Sequence, residues 1–136
     1  MNKKKLILAL TIIILTVSAI FGLYPFLGKK PFANINEADI SSASVQLMPP
    51  NKTIQITQLS KLADILKDIV IYNKDDSYKE YGGQAVIITI TMTDGTKTVI
   101  NAYNPFVVID GIGYRTRYEQ CERLSQFAND LLQIKE

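Results

Sequence analysis

An uncharged run from Leu6 to Leu27 constrains this chain more than any other feature; Lys3, Lys4 and Lys5 precede it and Lys29 and Lys30 follow it. As a helix, its roughly 22 residues span about 33 Å, against a hydrocarbon core of about 30 Å. Leu8, Leu10, Ile12, Ile13, Ile14 and Leu15 can face lipid without cost, and Tyr24 falls where an interfacial aromatic sits. More positive charge precedes the run than follows it. The expected layout is therefore a cytoplasmic N-terminus at residues 1–5, a transmembrane anchor at 6–27 and an exported remainder. A cleaved signal peptide is the competing expectation, with residues 6–16 as its apolar region and Val17-Ser18-Ala19 as a small-residue cleavage site. Cleavage after Ala19 would release a secreted protein beginning with the apolar Ile20-Phe21-Gly22-Leu23. No cysteine lies near the run, which excludes a lipoprotein anchor.

Export changes the charge argument. The chain carries 15 Lys and Arg against 13 Asp and Glu, but five of the lysines flank the apolar run and every acidic residue follows it. The exported part is thus mildly acidic and offers no electrostatic footprint for nucleic acid. With no His and one Cys, the 136 residues exclude His-containing triads, His general bases, ordinary zinc cages and internal disulfides. No cofactor motif is present either.

Residues 28–33 read as a short juxtamembrane linker and 34–136 as one extracytoplasmic domain. Asn36 is placed to cap a helical turn that carries Glu37 and Asp39. Two short strands, 44–48 and 53–57, flank the turn Pro49-Pro50-Asn51-Lys52. From residue 57 to 70 the period lengthens: Leu59, Leu62, Ile65, Leu66, Ile69 and Val70 share a helical stripe, with Thr57 as a candidate cap. Asp64 and Asp68 are expected to pair with Lys61 or Lys67 along that helix. Residues 73–84 form a polar, tyrosine-containing loop. Next, 85–93 alternates, Val86, Ile88, Ile90 and Met92 opposite Ile87, Thr89 and Thr91. Asp94-Gly95 signals a type I′ hairpin into 96–103, and Asp110-Gly111-Ile112-Gly113 supplies the turn of a second hairpin between 106–109 and 114–117. A last helix covers 119–134, with Leu124, Phe127, Ala128, Leu131 and Leu132 on its apolar face. The expected fold is α+β: a transmembrane helix, then a two-layer domain of about six mainly antiparallel strands with two helices on one face.

Candidate chemistry is sparse. Asn73, Asp75 and Ser77 follow the first steps of a calcium loop, but Tyr78 stands where that loop needs Gly and Gln84 where it needs Glu. A charged, mobile surface loop is the plainer expectation. Cys121 has no His to activate it and is expected to pack under the sheet. Neither catalytic nor metal-binding residues are assigned. Six of the seven tyrosines fall between Tyr72 and Tyr118. Strand alternation puts Tyr114 and Tyr118 on one face and Arg115 and Arg117 on the other. Because exposed Tyr and Arg combine contact area with hydrogen bonding, the candidate recognition surface is Tyr78, Tyr81, Tyr114, Arg115 and Arg117.

Three stretches carry a likeness to known proteins: Pro31-Phe32 with Asp39-Ile40 and the Pro49-Pro50 turn; residues 72–84; and Asn104-Pro105-Phe106 through Cys121-Glu122. Over residues 31–132 the chain resembles a family of small extracytoplasmic domains of Gram-positive bacteria, whose function is unknown. Such domains are similar to those appended to membrane receptor peptidases of the beta-lactam-sensor type. The resemblance implies a fold and an extracytoplasmic setting. It transfers no catalytic residue, and the His-Glu-x-x-His motif of the peptidases is absent here. The expected function is a non-enzymatic, membrane-anchored binding or sensory module for an envelope component or a membrane protein. The alternatives are a hydrolase-like domain using Asp75, Asp76, Glu80 or Cys121, and a secreted inhibitor or effector.

Overall fold

The structure is a computed structural model that describes residues 1–23 and 26–134. Most of the apolar run folds into one helix, α1 (Lys3–Leu23), with no buried residue; it ends before the expected boundary at Leu27, and residues 26 and 27 lie outside it. It is long and apolar enough to cross a membrane. Tyr24, expected as the interfacial aromatic, lies outside the described residues.

Behind it stands a single antiparallel sheet with two helices. Its strands are β1 (Ile40–Met48), β2 (Lys52–Gln55), β3 (Ile71–Lys74), β4 (Ala85–Met92), β5 (Lys97–Tyr103), β6 (Phe106–Ile109) and β7 (Ile112–Thr116). The helices are α2 (Leu59–Lys67) and α3 (Tyr118–Ile134). The strands lie in the order β2-β1-β4-β5-β6-β7-β3. This α+β architecture matches the sequence pattern, with one strand more than expected. The addition is β3, which pairs antiparallel with β7 and closes the edge opposite β2.

Alternation decides which face each helix meets. Val45 and Leu47 of β1, Val86, Ile88 and Ile90 of β4, Ile100 and Ala102 of β5 and Val107 of β6 join one buried cluster. The same cluster takes in Leu62 and Leu66 of α2 and Leu124, Phe127 and Leu131 of α3. Leu62, Leu66 and Leu124 are fully buried, each worth about 1.5–3 kcal/mol relative to exposure. Asp68 pairs with Arg123 at 2.7 Å, tying the end of α2 to α3 rather than to a lysine of its own helix. Lys67 and Asp64 do pair along α2, at 3.8 Å.

Several local expectations shift. Gln58, not Thr57, precedes α2, and Asn36 precedes the 3-10 turn Glu37–Asp39 without a side-chain capping bond. At the β4–β5 hairpin, the Gly95 N–H donates to the Met92 carbonyl at 3.0 Å, and Gly95 has a φ of 87° while Asp94 has none in the left-handed region. That is a three-residue loop ending in a left-handed glycine, not a two-residue type I′ turn. The type I′ geometry occurs instead at Asp110 (φ 49°) and Gly111 (φ 83°), between the paired Ile109 and Ile112. The linker is also firmer than its composition suggests. Lys29 and Ile71 exchange both backbone hydrogen bonds at 2.8 Å, and Phe32 packs against the core. Gly28 adopts a φ of 68° against Val70 and Tyr72, where a side chain would collide.

Candidate recognition face

The sheet face away from the helices carries the tyrosine-containing segment. Register puts Phe106 of β6 opposite Tyr103 on β5 and Arg115 on β7, so all three project to this outer face. The polar stretch after β3, expected as a mobile loop, forms a 3-10 turn at Asp76–Glu80 that docks over Phe106. Tyr78 and Tyr81 set their rings 6.4 and 5.5 Å from the Phe106 ring, and Tyr78 meets Tyr103 edge-on at 6.1 Å. The Arg115 guanidinium lies 4.6 Å from the Phe106 ring centre, in cation–π contact. Phe106 is consequently fully buried, outside the main core.

A set of directional bonds holds the segment down. Arg115 Nε donates to Asp75 Oδ2 at 2.7 Å, while the Ser77 hydroxyl and backbone N–H donate to Asp75 Oδ1 at 2.6 and 3.0 Å. These Ser77 bonds, then Arg115, hold the Asp75 carboxyl down at about 2, well below the usual carboxylate range. Gly113 accepts from the Asp75 N–H at 2.8 Å and donates its own N–H to Asp76 Oδ1 at 3.1 Å. The Tyr103 hydroxyl donates to the Tyr81 carbonyl. Asp75 and Asp76 are therefore used in docking the segment. Among the described residues, no group of three or more acidic or thiol side chains could hold a metal ion.

Of the five candidate recognition residues, the structure gathers Tyr78, Tyr81 and Arg115 on this face. Tyr78 is half-buried; Tyr81 remains 53% exposed. Tyr114 pairs with Val107 and packs against the main core on the opposite face, as alternation requires. Arg117 donates to the Tyr72 hydroxyl at 2.9 Å, near the docked linker. Cys121 is buried: its thiol donates to the Phe106 carbonyl at 3.1 Å, and desolvation pushes its pKa up to about 11. It is a protonated packing residue at neutral pH, not an activated nucleophile.

Sequence reasoning missed Phe106, Tyr103 and Gly113, which build the docked segment. It pointed to the sheet surface and the loop of residues 72–83 without naming the other residues of the outer face. Ile87, Thr89 and Thr91 of β4, Val99 and Asn101 of β5 and Ser44 and Gln46 of β1 share that face by register. These seven are uncharged and half-buried or exposed, Val99 at 40%, and the exposed Lys97, opposite Thr91, shares the face. Asn101 Oδ1 is shielded yet lacks a hydrogen-bond partner. The alternation of 85–93 was the available signal for this surface. The chain matches no family model, no curated protein and no solved structure.

Proposed function

We propose that the chain is a membrane-anchored, extracytoplasmic binding or sensory module without catalytic activity, and that its outer sheet face receives an envelope component or another membrane protein. The observation that carries this reading is the uncovered part of that face, the surface of Ile87, Thr89, Val99 and Asn101 on β4 and β5. A patch of β-branched and amide side chains, bordered by Lys97 opposite Thr91 and by the Asp110 carboxylate that accepts from the Val99 N–H, suits a hydrogen-bonding partner. The docked 3-10 turn makes a rigid wall at one side of it, which lowers the ordering cost of binding. The resemblance to extracytoplasmic domains agrees with this setting, and α1 with its flanking lysines supports a single-pass anchor with the domain outside.

A photocrosslinking amino acid placed at Val99 or at the exposed Gln126 of α3 tests the reading in intact membranes. A partner adduct is expected from Val99 and not from Gln126. Equal labelling from both positions, or none from Val99, would refute the outer face as the site.

A further inference from the structure

The β3 edge of the sheet, together with the linker docked on it, is a surface with its own chemistry. Lys29 and Lys30 lie beside β3, Lys74 ends it, and Arg117 follows β7, whose Thr116 pairs with Ile71. All four basic side chains are exposed. Arg123 joins Lys30 and Arg117 around a shallow pocket whose acidic members are Asp68, already paired with Arg123, and Glu119. Asp39 shares a second pocket with Lys30, and Asp76, two residues beyond Lys74, accepts from the Gly113 N–H, so among the described residues the basic side chains of this edge stand beside several carboxylates, most of them already engaged. Asp75 is turned to the outer face and engaged by Arg115. Large apolar groups are exposed next to these charges: Leu27, 71% exposed, lines a groove with Lys29 and Lys74, Phe26 (78%) precedes it, and Tyr118 (64%) follows Arg117 in the chain.

Connectivity states what this surface meets. Leu23 ends α1 and Gly28 is already packed on Val70 and Tyr72. Five residues bridge at most about 18 Å in any conformation. Exposed aromatics and lysines at that distance from the end of a membrane-crossing helix have the composition of an interfacial anchor. We propose that the β3 edge rests on the bilayer, with Lys29, Lys30, Lys74 and Arg117 binding anionic phospholipid headgroups and Phe26, Leu27 and Tyr118 seated at the interface. The inference rests on the reading of α1 as a membrane anchor. Fixed in this way, the sheet stands on one edge, and its outer face is presented in a set direction instead of swinging on a linker.

The chain has no Trp, so Tyr118→Trp introduces a unique fluorophore. The full chain carrying it is reconstituted in vesicles of phosphatidylcholine, alone or mixed with phosphatidylglycerol, with brominated lipid as quencher. Quenching is expected in the anionic vesicles and little in the neutral ones. It should disappear at about 1 M salt, where the Debye length is near 3 Å. Replacing Lys29, Lys30, Lys74 and Arg117 one after another by Gln should weaken the contact about fivefold per charge. A Val99→Trp reporter on the outer face should stay unquenched throughout. An unquenched Tyr118→Trp in anionic vesicles, or quenching indifferent to lipid charge and salt, would overturn the proposal. Retention of the chain in the vesicles after an alkaline wash reads α1 separately: a retained but unquenched chain refutes the docking alone, and a released chain refutes the anchor and the docking together.

Discussion

The two faces of the sheet are closed by different physics. Against one lie α2 and α3, and its contacts are aliphatic: Leu47, Ile88 and Ile100 meet Leu66 and Leu124 in one cluster. Such burial is non-directional and tolerates sequence change of similar volume. The other face is covered only at the β6–β7 end, by a short segment held through hydrogen bonds to Gly113, Arg115 and Tyr103 around one phenylalanine. Beyond it the surface stays open. Hydrophobic closure supplies the stability of the domain, and the other face keeps an open surface, the one proposed above to receive a partner.

Truncation in the closed face separates the two most sharply. Leu66→Ala or Leu124→Ala empties a fully buried site and should cost about 2–5 kcal/mol, read as a lower denaturant midpoint. Smaller losses there would mean that the helices contribute less than their burial indicates. Gly113→Ala attacks the other face: its new Cβ would collide with the Asp75 carbonyl and sit 2.6 Å from Tyr78 Cδ1. Crowding of that kind costs about 1–3 kcal/mol. Its signature should be faster amide exchange at Ser77 while amides of β4 and β5 stay protected. Uniform loosening would show that the two faces are one cooperative unit.

Acid should loosen the segment next. The Asp75 pKa is held at about 2 in the folded chain against an ordinary 3.8. Its contribution is complete above about pH 4 and falls as the pH drops toward 2, because the unfolded chain takes up the proton first. Asp75→Asn should remove that part of the acid dependence, measured by the midpoint at pH 3 against pH 6. An unchanged pH profile would mean that the Ser77 and Arg115 bonds do not set the carboxyl. Least of all in stability, Val99→Thr on the open face should stay within about 0.5 kcal/mol. The same change should still weaken partner labelling from a photocrosslinker placed at Thr89 on the same face. A large stability loss there would indicate a surface that is packed, not open.

Much of the fold was legible because periodicity is local. The alternation of Val86, Ile88 and Ile90 against Ile87 and Thr89 assigned both faces of β4 correctly, and α3 followed from Leu124, Phe127, Ala128 and Leu131. Strand β3 was missed since Ile71-Tyr72-Asn73-Lys74 is too short to show a period; its pairing with β7 is a long-range event. The Asp94-Gly95 pair carries the composition of a two-residue turn, yet the register of β4 and β5 selects a longer loop. Candidate recognition residues fared unevenly for the same reason. Alternation separates Tyr114 from Arg115, but nothing local reveals that Tyr78 will lie against Phe106 or that Arg115 will reach Asp75.

By itself, then, the order of residues determined an apolar helix flanked by lysines, an antiparallel α+β domain without metal-cage or disulfide chemistry, and the inward and outward sides of its longer strands. Those properties follow from length, charge and period, which adjacent residues share. Tertiary structure alone decided that β3 joins the sheet beside β7, that Lys29 joins the edge at Ile71, and that Asp75, Tyr78 and Tyr81 fold down over Phe106. Each of those contacts joins residues far apart in the chain, and its free energy depends on a surface that exists only once the sheet has formed.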